Sequence, residues 1–289
     1  MKNGEFEQYL RTMDIVRLGE GVDRTGRLSD EAIARTLAKA GEYGQVARVA
    51  GVNRMRFVAT SASRDAENRE EFRAGIRRVL GIEPEVVEGL EEAALSFSGA
   101  VGSLEDAATP VMVVDIGGGS TEFVLGAGEE IEASVSKNMG SVRITEKFPE
   151  LSGANPSTEA AAAWVDQILN EVAKEVPLER VNTLVGVAGT VTTITCHALG
   201  LKEWDPVAVH GATISLEQML ASCDYMINAP AEELAALAYM PQGRADVISG
   251  GAVIWRQILV RAAGANPKLR ETRVSEHDIL DGIALSLLS

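Results

Sequence analysis

Val111-Met112-Val113-Val114-Asp115-Ile116-Gly117-Gly118-Gly119-Ser120-Thr121-Glu122-Phe123-Val124-Leu125 is the stretch from which the fold is read. Its apolar run predicts a buried strand ending at Asp115, three glycines turn the chain, and Phe123-Val124-Leu125 reads as a returning strand. Residues without a Cβ let successive backbone N–H groups converge on one point. Ser120 and Thr121 add hydroxyl donors. Asp115, at the strand's carboxyl end, is placed to hold a divalent cation directly or through water, and Glu122 either helps hold that metal or caps the hairpin. Such a loop cradles a phosphate while the metal offsets the charge that repels an attacking oxygen. Two familiar phosphate motifs are absent: there is no Gly-Lys-Ser/Thr ending and no Gly-x-Gly-x-x-Gly spacing, and the loop leads into a strand, not a helix. For a triple glycine in isolation, a tight hairpin that needs glycine only for its geometry competes evenly with phosphate binding.

Outward from this loop, strand–glycine turn–strand with a leading Asp resembles the phosphate loop of the actin/hexokinase/Hsp70 ATPase fold. A second glycine element, Gly186-Val187-Ala188-Gly189-Thr190-Val191-Thr192-Thr193, stands where a strand passes into a helix, whose first N–H groups also attract phosphate. Elsewhere strands and helices alternate, the signature of an α/β layered protein. Glu5 to Val16 looks extended, and Ser29 offers an N-cap with Asp30 and Glu31 behind it. Arg56 to Thr60 reads as a strand, Phe72-Ile76-Val79 as a helical stripe, Val86-Val87 as a short strand, and Ala93 to Val101 as a helix face. Thr183 to Val187 is a further strand. Leu216-Met219-Cys223, Ile254-Ile258 and Ile279-Ile283-Leu287 are helical, the last with Ser275 as the expected N-cap. The small, polar stretch Gly102 to Pro110 suits a linker and divides the chain into domains 1–108 and 109–289.

The composition bounds what such a protein can be. The chain has 289 residues, 27 Lys+Arg against 42 Asp+Glu, a net charge of −15, and 46% hydrophobic residues. It is long enough for two cores and too apolar to be disordered. Cys196 and Cys223 are its only cysteines, which excludes a disulfide framework or a cysteine-rich zinc site. The three histidines show no zinc spacing and read as structural. Met1 to Glu5 has no secretory apolar region, and no apolar run reaches the ~18 residues of a membrane span, so the expected place is the cytoplasm. The acidic total argues against nucleic-acid and membrane partners, while a few focused arginines and a bound cation still make a cleft locally positive.

At this point the chain resembles the exopolyphosphatase/guanosine pentaphosphate phosphohydrolase (Ppx/GppA) family, along nearly its whole length. The residues that carry the resemblance are Val58 to Ala66 with Asn68 to Phe72, Glu88-Gly89-Leu90-Glu91-Glu92-Ala93, Asp115 to Glu122, and Met139 to Glu146. Gly186 to Thr190, Arg244-Ala245-Asp246 with Gly250-Gly251, and Ser275-Glu276 with Asp281-Gly282 complete the set. The resemblance implies a two-domain actin/hexokinase/Hsp70-like (ribonuclease H-like) ATPase fold with its site in the interdomain cleft and the last helix packing back on the first domain. It implies Mg²⁺-dependent (or other divalent-cation-dependent) hydrolysis of terminal phosphoanhydride bonds in polyphosphate or guanosine pentaphosphate, and it allows a homodimer. Glu92 is then the candidate for the water-activating carboxylate and Glu91 the second choice; neighbours on a helix point different ways, so only one faces the cleft. Gly117, Gly118, Gly119, Ser120, Thr121, Arg64, Arg143, Gly189 and Thr190 are the candidate phosphate ligands, and Asp115 and Glu122 the candidate metal ligands. Arg244 and Asp246 read as a structural ion pair at a helix start.

One block departs from the pattern. Nothing before Ser29 matches the family's first phosphate loop, Asp-x-Gly-Ser/Thr-Asn-Ser. The expectation is an incomplete first domain, with a natural start upstream of Met1 and weak or absent turnover in the present chain. A kinase of the same fold, or a sensor that binds polyphosphate or guanosine pentaphosphate without hydrolysing it, are the alternative functions.

Overall fold

The computed structural model describes residues 8–104, 106–152 and 157–288; Glu5 to Glu7 of the extended stretch and Glu105 of the linker lie outside them. From the N-terminus come α1 (Val22–Thr25), α2 (Asp30–Val49), β1 (Val58–Ala59), α3 (Ser61–Asp65), α4 (Arg69–Leu80), β2 (Glu85–Val86) and α5 (Gly89–Val101). Then follow β3 (Val111–Ile116), β4 (Thr121–Ala127), β5 (Glu130–Lys137), α6 (Ser141–Lys147), α7 (Glu159–Glu175), β6 (Thr183–Val187), α8 (Ala188–Ala198) and α9 (Pro206–Val209). The chain closes with β7 (Thr213–Ser215), α10 (Leu216–Asn228), α11 (Ala231–Ala236), α12 (Ile248–Ala265), β8 (Glu271–Val274) and α13 (Ile279–Ser286).

Two sheets organise these elements. β1 and β2 pair in parallel under α2 and α4, whose apolar stripes, Ile33 and Ala40 on one and Phe72 and Ile76 on the other, share one buried cluster. Ser29 caps α2 as its sequence predicts, its side chain accepting from Ala32 N at 3.1 Å, a bond worth about 1 kcal/mol at such a position. The larger sheet has the strand order β5-β4-β3-β6-β8-β7. β3 is buried along its whole length, as a continuous apolar run requires. Because side chains alternate faces, Met112, Val114 and Ile116 join the large core beneath α7, α8, α10 and α12. Val111 and Val113 meet Ala93, Phe97 and Ala100 of α5 on the opposite face.

The C-terminal helix α13 packs on α5, and glycine sets how closely. A Cβ on Gly282 would lie 1.9 Å from the Leu95 carbonyl oxygen, and one on Gly99 would lie 2.0 Å from that of Asp278. Gly282→Ala is therefore expected to destabilise the fold by about 3 kcal/mol, the upper range for overpacking against backbone, read as a lowered midpoint of thermal unfolding. An unchanged midpoint would show that the two helices can separate freely.

The structure corrects two local expectations. Residues 8–18 form neither strand nor helix. No neighbouring strand offers a ladder to this segment among the described residues, and side chains hold it instead. Arg11 reaches Asp281 and Asp278, and Arg35 donates to Val16 O. The cap of α13 is Asp278, not Ser275: Asp278 accepts from Leu280 N and forms a capping box with Asp281, while Ser275 Oγ donates to His277 O. Among the described residues no helix is long and apolar enough to cross a membrane.

Candidate active site

Three parallel strands end at one edge. β3 pairs with β6 from Val111↔Thr183 to Asp115↔Val187, and β6 pairs with β8. Their carboxyl ends deliver Gly117, Ala188 and Ser275 side by side, the edge at which open α/β sheets bind ligands. A cavity of about 330 Å³ opens there, lined by Gly117–Gly119, Thr60, Arg143, Ala188–Thr190 and Arg244 among others.

The glycine loop is held by its carbonyls. Gly117 O accepts from Ser141 N (2.9 Å), Gly118 O from Val142 N (3.0 Å) and Arg143 N (3.2 Å), and Gly119 O from Arg143 Nε (2.7 Å). In a planar trans peptide the N–H points opposite to the carbonyl. With three carbonyls turned to the start of α6, the N–H groups of Gly118, Gly119 and Ser120 turn the other way. Space enforces the arrangement, since a Cβ on Gly140 would sit 2.3 Å from Gly118 O. The loop thus exposes a row of donors of the kind that binds oxyanions.

The second glycine element starts α8. Ala188 holds φ at +64°, a conformation that disfavours side chains and is found where surrounding structure imposes it. A Cβ on the next residue, Gly189, would lie 2.1 Å from the Arg244 guanidinium, so glycine lets that cation lie over the helix start. Arg244 donates to Thr193 Oγ1 (2.9 Å) and to Met13 Sδ (3.2 Å) and has no carboxylate at ion-pair distance among the described residues. Burial pulls its pKa down to about 10, against the longer-range attraction of Glu276. Asp246, expected as its partner, accepts from Arg17. A desolvated guanidinium beside a helix N-terminus favours an anion strongly. Arg244 is a cavity-lining cation absent from the candidate ligands; its signal in the sequence is the Arg-x-Asp block, which reads as an ion pair.

Between the sheet and α5 lie three carboxylates. Glu92 and Glu91 separate as adjacent helical residues must: Glu92 is buried, whereas Glu91 is exposed and reaches Arg56 at 3.9 Å. Arg64 donates to Val87 O (2.8 Å) and to Glu92 Oε2 (3.3 Å), so its guanidinium orients the carboxylate. Asp115 and Glu122 are register partners across β3 and β4 and share a sheet face. Ser96, one turn after Glu92, donates to Asp115 (2.6 Å), and Ser136 to Glu122 (2.7 Å). Burial raises the pKa of all three; Asp115 reaches about 7, also repelled by Asp278 and Glu92, and Glu122 rises well above the ordinary range, also repelled by Glu92 and Asp115.

Not every sequence candidate reaches the cleft. Gly117–Gly119, Gly189 and Thr190 gather at it, whereas Ser120 is buried and its side chain bonds Glu122. Thr121 is fully buried and its hydroxyl donates to Met139 O. Arg143 does line the cavity but spends three donors on Gly119 O, Asp23 and Asp65. His197 stacks on Tyr225, and His210 lies against His277. Burial pushes the Cys196 thiol up to about 12, which leaves it unreactive.

Strand ends that turn amides and a desolvated cation into one cleft are features of phosphoryl-handling enzymes built on the actin-like two-domain fold, and comparison with known proteins places the chain there. It belongs to the Ppx/GppA phosphatase family, whose family model matches residues 1–283, and is by class a phosphoanhydride hydrolase. It is 43% identical to exopolyphosphatase 2 of Mycobacterium tuberculosis over 295 aligned residues, covering 99% of this chain and 91% of that protein. Among solved structures it superposes on an exopolyphosphatase-like protein with a TM-score of 0.93 at 40% identity, covering 98% of this chain and 92% of that one. The Aquifex aeolicus family member gives a TM-score of 0.81 at 29% identity, covering 100% and 91%.

Proposed function

We propose that this chain releases orthophosphate from the end of inorganic polyphosphate, with guanosine pentaphosphate as a second substrate of the same cleft. The observation that carries the reading is that Gly117 to Gly119 line the same cavity as Arg244, with the loop carbonyls taken up by the start of α6 and the amides left for a ligand. The amides hold the terminal phosphoryl oxygens, and Arg244 with the Gly189–Thr190 backbone holds the neighbouring phosphate. Glu92, oriented by Arg64, takes the proton of the attacking water. The water oxygen bonds to the terminal phosphorus, the bridging P–O bond breaks, and the shortened chain leaves with the bond's electron pair.

Asp115 and Glu122 fit a hard divalent cation by their chemistry: two buried, mutually repelling oxygen donors lacking a countercharge. Mg²⁺ is usually held by one or two carboxylates with water and substrate phosphate, the donor set that Asp115 and Glu122 offer. When bound, the ion neutralises the equatorial phosphoryl oxygens.

The test is orthophosphate release from long-chain polyphosphate with Mg²⁺, and again with EDTA. Release is expected only with the metal, and added guanosine pentaphosphate should slow it by competing for the amides. Absence of release from both substrates would overturn the reading.

A further inference from the structure

Arg143, a candidate phosphate ligand by sequence, is engaged within the protein itself. Arg143 lies in the first turn of α6, whose backbone already grips the glycine loop. Its Nε donates to Gly119 O at 2.7 Å, its Nη2 to Asp65 at 3.1 Å, and its Nη1 to Asp23. The side chain is only 16% exposed. Asp23 belongs to α1 and Asp65 ends α3, so one planar fork joins the glycine loop to two separate N-terminal elements. A parallel link comes from the next turn of α6, where Glu146 accepts from Gly21 N at 2.9 Å.

The opposite side of α6 is seated without slack. A Cβ on Gly250 of α12 would lie 2.5 Å from Thr145 Oγ1 and 2.6 Å from Ile144, and one on Gly251 would lie 3.3 Å from Ser141 Cβ. With α6 wedged on α12, displacement of α1 or α3 is passed to Gly119 through Arg143 instead of being absorbed by the helix. Three donors of one rigid guanidinium aimed in three directions make this coupling sensitive to angle as well as distance. A lysine, with its ammonium on a flexible stem, cannot reproduce it.

We propose that Arg143 is a positioning residue: it ties the glycine loop to Asp23 and Asp65, so that the loop amides are aligned for phosphate only while α1 and α3 are docked. The inference rests on the function proposed above for that loop, and its test separates the two. Asp23→Asn, Asp65→Asn, Arg143→Lys, Arg143→Ala and the double variant Asp65→Asn/Arg143→Ala are assayed for kcat and KM with polyphosphate. Backbone hydrogen exchange at Gly118–Ser120 is measured on the same proteins.

If Arg143 positions the loop, both Asp→Asn variants lower kcat/KM by about tenfold to a hundredfold, the range for sub-ångström to ångström misplacement. They also accelerate exchange at Gly118–Ser120 while thermal unfolding stays within a few degrees of wild type. Arg143→Lys does not rescue, and the double variant is no worse than Arg143→Ala. If Arg143 instead binds substrate directly, removing a competing carboxylate frees the guanidinium, and Asp65→Asn lowers KM with exchange unchanged; that outcome overturns the proposal. A wild-type protein without phosphate release sinks the proposed function alone, because the exchange measurement still decides whether Arg143 orders the loop.

Discussion

Glu92→Gln is expected to abolish phosphate release while leaving the folded protein as stable as the wild type or more so. Loss of a general base costs about two to four orders of magnitude in turnover. The usual penalty for altering a buried charged residue is offset here, because burial and repulsion from Asp115 and Glu122 disfavour the Glu92 charge against the attraction of Arg64. The amide keeps the size and the acceptor oxygen that faces Arg64. Turnover and thermal unfolding should therefore move independently, with polyphosphate binding retained. The wild-type rate should rise with pH along a limb above the ordinary carboxylate range, since a base with a raised pKa becomes competent only once its proton leaves. A variant retaining more than a tenth of wild-type turnover would remove Glu92 from the chemistry.

The second large effect is expected at a residue that touches no substrate. Gly140 has an extended backbone, φ −143° and ψ 168°, which any residue adopts, so its constraint is space alone. A Cβ there would meet Gly118 O at 2.3 Å, Gly118 C at 2.4 Å and Gly119 N at 2.6 Å. These are backbone atoms without a rotamer to change, so Gly140→Ala must push the glycine loop away from α6. Turnover should fall by about a hundredfold, the scale of an ångström error in positioning, with about 1–3 kcal/mol of stability lost to overpacking. Gly264→Ala is the control. Its site in α12 has no atom within 4 Å of the added methyl, and helix propensity alone predicts a small gain of stability. Equal behaviour of the two variants would show that the loop does not depend on its seat against α6.

The contrast between these glycines shows where sequence reading stops. The apolar run at Val111, the glycine turn and the return at Phe123 specify strand, loop and strand through local periodicity and conformational freedom, and the structure has them at β3 and β4. The adjacency of Glu91 and Glu92 likewise dictates that only one is buried. Strand β5 is not legible in the sequence because its alternation is carried by polar and half-buried residues, nor are β7 and β8, because three- and four-residue strands leave too short a pattern. The spaced blocks from Val58 to Gly282 carry the family resemblance, and with it the fold class.

What the chain's linear order could not supply is the partner of each functional group. Arg143 and Arg244 both read as arginines near glycine. Packing alone gives Arg143 to Asp23, Asp65 and Gly119, over sequence separations of 120, 78 and 24, and leaves Arg244 desolvated over the start of α8. The reason is physical: propensity and periodicity act over a few residues, whereas burial, charge repulsion and steric exclusion depend on atoms that only folding brings within a few ångströms.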